Sequence, residues 1–175
     1  MNILFIINDG FEEAETINPY DILVRAKYNV TISSNKIEAI GSHNVKLSNL
    51  KLLSETNFSD FDLVVLPGGP EWINNSKDKL YIEAINYFIE NKALASICAT
   101  PTILGHLGLL KGKKYTCFPP MNEDFEGYFT GEDAEICDNL ITGRGAGSSM
   151  EFGYKIIEYL EGKEKANEIK KDMYY

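Results

Sequence analysis

The stretch Ala95–Gly105 reads ASICATPTILG, an apolar run that arrives at a thiol and then meets a proline. Leu94 to Ile97 predicts a short buried strand, and residues 99–109 predict a helix. Cys98 stands at the junction. A strand that turns directly into a helix needs small residues two places before and two places after the bend, or the turns collide. Ser96 and Thr100 occupy those places, and Pro101 suits a first helical turn, where its missing N–H costs nothing. The side chain at such a bend projects outward beside the N–H groups that open the helix. A helix N-terminus favours a thiolate. The segment has the form of a nucleophile elbow, although a buried cysteine alone is ordinarily a small hydrophobe.

Outward from this junction the same alternation recurs. Residues 3–7, Val30–Ser33, Asp62–Leu66 and Leu140–Thr142 are short apolar or β-branched runs that predict buried strands. Leu80–Asn91 predicts an amphipathic helix with Ile82, Ile85, Phe88 and Ile89 on one face. Ser148-x-x-Glu151 has the pattern of a capping box that opens a helix through Leu160, and a last helix covers roughly 163–172. Residues 36–47 alternate around Gly41 like a small hairpin. The first helix has two readings. Asn18-Pro19 can cap and open it, or it begins near Glu12 and carries Pro19 inside, which leaves the Glu15 carbonyl without its donor. Residues 114–138 give only a strand near Tyr115 and a break at Pro119-Pro120. Strands alternating with helices predict a parallel sheet covered on both faces, in a single domain over 1–175.

The composition narrows the function classes. With 175 residues and 44% hydrophobic side chains, the chain is long and apolar enough for a core. Its longest apolar runs are too short to span a bilayer. A net charge of −9 opposes binding to nucleic acid. Cys98, Cys117 and Cys137 form no CxxC, and His43 and His106 are the two histidines, so neither a disulfide framework nor a metal centre is expected. No basic, apolar leader opens the sequence, and a reduced cytoplasmic location is expected.

In a parallel α/β sheet, ligands bind beyond the carboxyl ends of the strands. Three unusual segments follow predicted strands: Gly10-Phe11-Glu12-Glu13-Ala14-Glu15, Pro67-Gly68-Gly69-Pro70 and the Cys98 elbow. Gly68 and Gly69 let backbone approach a ligand closely, and their N–H groups can join that of Ala99 as oxyanion donors. A carboxyl buried beside a thiolate is pushed toward neutrality and can shuttle a proton. Three acids compete for that role in EEAE, and their pattern alone does not choose between them. Gly143-Arg144-Gly145-Ala146-Gly147 lacks the Lys-Ser/Thr of a phosphate loop, which leaves flexible backbone and one positioned arginine, Arg144.

Taken together, EEAE with its later proline, VVLPGG, ASICATP, GRGAGSSMEFG and the tail GKEKANEI resemble the ThiJ/PfpI superfamily, in its DJ-one branch, over nearly the whole chain. The resemblance implies a flavodoxin-like sandwich and a homodimer. It assigns the nucleophile to Cys98, the protonated partner to Glu15, and the oxyanion backbone to Gly69 and Ala99. It implies cofactor-free glyoxalase chemistry on small 2-oxoaldehydes such as methylglyoxal, giving lactate, or deglycase action on their protein adducts. The alternative is an oxidative-stress sensor or chaperone that uses the same cysteine without turnover. Two departures matter. Ala99 stands where peptidase-like members place a histidine, which argues against proteolysis. Phe118, in TCFP, stands where animal members place a histidine near the thiol. Arg25 and His43 fall where some relatives keep cations near the pocket. Cys117 is a second redox thiol or a packing residue, and packing is favoured.

Overall fold

Four apolar runs become the parallel core of one sheet because their side chains are buried on both faces. The computed structural model describes residues 1–175. In chain order the elements are β1 (Asn2–Ile6), α1 (Glu13–Arg25), β2 (Asn29–Ser34), β3 (Glu38–Ile40), β4 (Lys46–Ser48), β5 (Lys51–Leu52), β6 (Leu63–Leu66), α2 (Trp72–Asn75), α3 (Lys79–Asn91) and β7 (Ala93–Ile97). There follow α4 (Pro101–His106), β8 (Lys114–Tyr115), β9 (Tyr128–Phe129), β10 (Ala134–Cys137), β11 (Leu140–Gly143), α5 (Ser149–Glu161) and α6 (Lys163–Asp172). The seven-stranded sheet runs β10-β11-β7-β6-β1-β2-β5. Every pairing in it is parallel except β10 with β11. Its centre, β2-β1-β6-β7-β11, has the strand order of the flavodoxin-like fold, with the switch in direction between β1 and β6.

Alternation along each strand sends neighbouring residues to opposite layers. Ile3, Phe5, Leu63, Val65, Ala95 and Ile97 pack with Ile22, Phe152 and Ile156 of α1 and α5. Leu4, Ile6, Val64, Leu66 and Leu94 pack with Tyr81, Ile85, Phe88 and Ile103 of α3 and α4. Ile3, Leu4, Phe5 and Ile6 are fully buried, each contributing about 1.5–3 kcal/mol against exposure. That burial fixes β1 at the middle of the sheet.

Two sequence expectations change, and two open readings are filled in. Helix α1 starts at Glu13 and holds Pro19 inside it, so the second of its two readings applies. The helix after Cys98 is shorter than 99–109, ending at His106 before a left-handed Gly108. The capping box at Ser148 does not form: Ser148 Oγ accepts from Gly145 N–H at 3.1 Å and donates to Gly145 O at 2.9 Å, while Glu151 pairs with Lys170 at 2.6 Å. Residues 114–138, hardest to read, hold the short β8–β9 pair and β10, which closes the sheet edge antiparallel to β11.

Candidate active site

The carboxyl ends of β1, β6 and β7 lie side by side around the switch point, so the loops after them meet. Cys98 leaves β7 at φ +65°, in the left-handed region that a non-glycine residue adopts at a cost of about 1–3 kcal/mol. Two backbone bonds hold it there: its N–H donates to Gly143 O at 3.0 Å, and its carbonyl accepts Phe118 N–H at 2.8 Å. Ser96 and Thr100 are fully buried, as the elbow requires. Thr100 Oγ1 donates to Pro67 O at 2.6 Å and ties the elbow to the Pro67-Gly68-Gly69 loop.

Of the three acids after β1, Glu15 is the buried one, at 0% exposure. Its Oε2 accepts Gly68 N–H at 2.8 Å, and Oε1 has no nitrogen or oxygen partner. The carboxyl is within hydrogen-bonding reach of the Cys98 thiol. Burial pushes Glu15 up to about 7, against the Cys98 and Gly68 hydrogen bonds that pull it down. The thiol is also raised, first by burial and then by the neighbouring carboxylate, while the N–H groups of Ala99 and Gly69 oppose the rise. The expected lowering by a helix N-terminus is therefore outweighed: α4 is only six residues long and the sulfur is largely enclosed. Carboxyl and thiol titrate as one pair, and the sulfur is nucleophilic when Glu15 holds their shared proton.

The three backbone donors divide their work. Gly68 N–H is spent on Glu15, so it holds the acid and does not serve an oxyanion. The N–H groups of Gly69 and Ala99 point at the sulfur. A Cβ at Gly68 would lie 2.7 Å from both Cys98 Cβ and Glu15 Oε2. One at Gly69, where φ is +99°, would lie 2.5 Å from Gly10 O. Neither position has room for a side chain.

A cleft of roughly 600 Å³ opens above the sulfur, lined by Glu12, Glu15, Cys98, Phe118, Pro119 and Arg144. Gly145 to Ser148 close one side of it, which the quoted GRGAGSS run signalled only as flexible backbone. Phe118 is thus brought to the thiol. Arg144 is present but committed, pairing with Asp133 and donating to Gly131 O at 3.1 Å. Arg25 is not near: it sits in the last turn of α1, exposed, 2.7 Å from Asp21. His43 stays at the rim, 2.9 Å from Glu13 and 3.6 Å from Glu12. Those three offer ligand atoms within 4.8 Å of one another, the arrangement closest to a metal-binding set, although they already satisfy each other. Burial raises Glu13, but the His43 ring and the His43 and Val45 N–H groups hold it at about 2. His106 is half exposed, 3.1 Å from Glu123. Cys117 is fully buried in the α3–α4 layer, where desolvation pushes its thiol up to about 11, as suits a packing residue.

Comparison with known proteins returns the same arrangement of segments. The chain is 39% identical over 175 residues to Protein DJ-1 homolog B of Arabidopsis thaliana, covering 97% of this chain and 40% of that one. The chain thus spans less than half the length of this curated relative. It is 29% identical to a glutathione-independent glyoxalase of Caenorhabditis elegans, covering 98% and 94%. It is 35% identical over 127 residues to a protein named Deglycase from Pyrococcus abyssi, covering 71% and 76%. The crystal structure of Drosophila melanogaster DJ-1beta superposes with a TM-score of 0.89 at 34% identity, over 98% and 96% of the two chains. A family model described as DJ-1/PfpI family matches residues 1–159, the span that carries every loop of the cleft, and the chain belongs to that family.

Proposed function

We propose that this chain is a cysteine-dependent, cofactor-free glyoxalase that converts small 2-oxoaldehydes to hydroxy acids, methylglyoxal to lactate, and acts on the corresponding protein adducts. One observation carries this reading: a fully buried carboxyl, anchored through one oxygen by Gly68 N–H, faces the thiol of a left-handed elbow at the floor of an open cleft. The glyoxalase and deglycase names of two relatives support it. A cleft of roughly 600 Å³ exceeds what a three-carbon aldehyde needs and leaves space for the stem of an adduct.

The chemistry needs a nucleophile and one group that moves protons near neutrality. Cys98 thiolate attacks the aldehyde carbon while Glu15 gives its proton to the forming alkoxide, and Gly69 and Ala99 N–H groups hold that oxygen. The product is a hemithioacetal. Glu15 carboxylate then removes the hydrogen from C1 as the electron pair shifts to the C2 oxygen, and passes that proton to the C2 oxygen, giving an enediol. It next takes the C1 hydroxyl proton and delivers it to C2, so that C1 becomes the thioester carbonyl and Glu15 is again a carboxylate. Water, deprotonated by the same carboxylate, displaces the sulfur and releases the hydroxy acid. Phe118 offers no imidazole, so one carboxyl serves every transfer and turnover is slow. The test is lactate formation from methylglyoxal by wild type, Cys98→Ser and Glu15→Gln; equal rates in all three overturn the reading.

A redox role for the same thiol is favoured by one contrast: Cys98 opens to the cleft whereas Cys117 is sealed. A protonated Glu15 can hold a sulfinate through a charge-assisted hydrogen bond. Peroxide should then add about 32 Da, two oxygens, at Cys98 first and less durably in Glu15→Gln. Earlier oxidation of Cys117 or Cys137 excludes this role. The proposed setting is a cytoplasmic homodimer, for which the exposed Ile17 and Val24 of α1 offer apolar surface.

A further inference from the structure

Glu71 is a second buried carboxyl that the chemistry above leaves unused. It is 1% exposed, in the loop between Gly69 and α2. Its Oε2 accepts the N–H of Asn8, at the end of β1, and its own N–H donates to Gly10 O at 3.3 Å. Next to it, Trp72 N–H donates to Gly69 O at 3.2 Å. Around Gly69 the loops already touch, since Glu12 N–H donates to Gly68 O at 2.9 Å. Asn75 and Tyr81 lie near the carboxyl in the interior. Asn8 Nδ2 donates to Asn75 Oδ1 at 2.8 Å. Glu71, Asn75 and Tyr81 are each no more than 1% exposed, and each keeps one polar atom without a hydrogen-bond partner. A half-satisfied polar network in a dry interior is destabilising, so packing alone does not account for it. An apolar residue at 71 would strand the Asn8 N–H, at about 1–3 kcal/mol.

We propose that Glu71 is a positioning residue: its carboxyl locks the loop carrying Gly68 and Gly69 to the end of β1, and so sets where the Gly69 N–H points. The inference rests on the reading of Gly69 as an oxyanion donor. Burial raises Glu71 well above the usual carboxylate range, and in the lock its Oε2 serves as an acceptor. Glutamine can reproduce that acceptor. Aspartate keeps the acid but is one methylene short, and alanine removes the link.

The experiment compares Glu71→Gln, Glu71→Asp and Glu71→Ala with wild type by three readouts: kcat and KM for lactate formation, the pH midpoint of Cys98 alkylation by iodoacetamide, and the thermal midpoint. Glu71→Gln should stay within about threefold of wild-type kcat. Glu71→Asp and Glu71→Ala should lose kcat by about tenfold to a hundredfold with KM unchanged, the effect of a misplaced donor. Their alkylation midpoints should move up, because Gly69 N–H no longer favours the thiolate. Unchanged kcat and midpoints in both variants, whatever the thermal loss, overturn the proposal, as does a Gln variant as impaired as Ala. If Glu71→Ala does not fold, Glu71→Asp decides. If wild type makes no lactate, the glyoxalase reading fails by itself and the alkylation midpoints alone decide the positioning claim.

Discussion

Glu15 and Glu71 are two carboxyls of the same kind in different company. Both are essentially unexposed, both spend one oxygen on a backbone N–H across the strand ends, and both keep the other oxygen unpaired. Glu15 faces a thiol and an open cleft, whereas Glu71 faces an amide and a phenol in the interior. Burial raises both carboxyls above the usual carboxylate range. The neighbour decides whether the carboxyl takes part in a reaction or only in the framework.

The sharpest separation of the two lies in turnover. Cys98→Ser should lower lactate formation by about a thousandfold or more, since the proposed nucleophile is gone. Glu15→Gln should lower kcat by about a hundredfold or more, through loss of the only group placed to move protons. By contrast, Glu71→Gln should barely register. A smaller effect is expected one residue from the pair. Gly68→Ala places a methyl against both Cys98 and Glu15 and should reduce kcat about tenfold to a hundredfold. Gly147→Ala, which meets nothing within 4 Å, is its control in the same cleft and should match wild type.

Stability against pH sharpens the contrast further. Glu15 is raised from 4.5 to about 7 on folding, so the folded state binds the proton more tightly than the unfolded chain. The stability that Glu15 contributes is then fully present below pH 4.5 and is lost as pH rises through 7. Glu15→Gln escapes that loss. Denaturant titrations should show it gaining on wild type by up to about 3 kcal/mol between those limits. A gap that stays constant with pH would show that Glu15 does not bury its charge. The smallest effects belong to the two cations. Arg25→Ala should leave kcat/KM unchanged, because Arg25 pairs with Asp21 away from the cleft. His43→Ala should change it by no more than about threefold, through rim charges that water screens.

Much of this was legible in the sequence where one physical requirement admits few residues. Strand-then-helix alternation, the small residues flanking Cys98 and the paired glycines each answer to a steric demand. The hairpin at 36–47 and the final helix were legible for the same reason. What was hidden depends on contacts distant in the chain. Nothing in EEAE itself says that Glu15 is the acid turned inward; Gly68, 53 residues away, decides it. Ser148 and Glu151 carry a capping pattern, yet Gly145 and Lys170 win their side chains. Glu71 resembles a loop acid until Asn8 is seen above it. The β10 strand lacks a strong alternation because only Ala134 is buried and the rest is half covered.

That last strand has a consequence for how the molecule behaves in crowded solution. The sheet ends in β10, four residues with Glu135 and a reversed direction, and in β5, two residues long. Neither rim is long or greasy enough to template a foreign strand. Runaway cross-strand assembly is thereby blunted at both ends, and unpaired copies should meet through side-chain surfaces and not through backbone ladders.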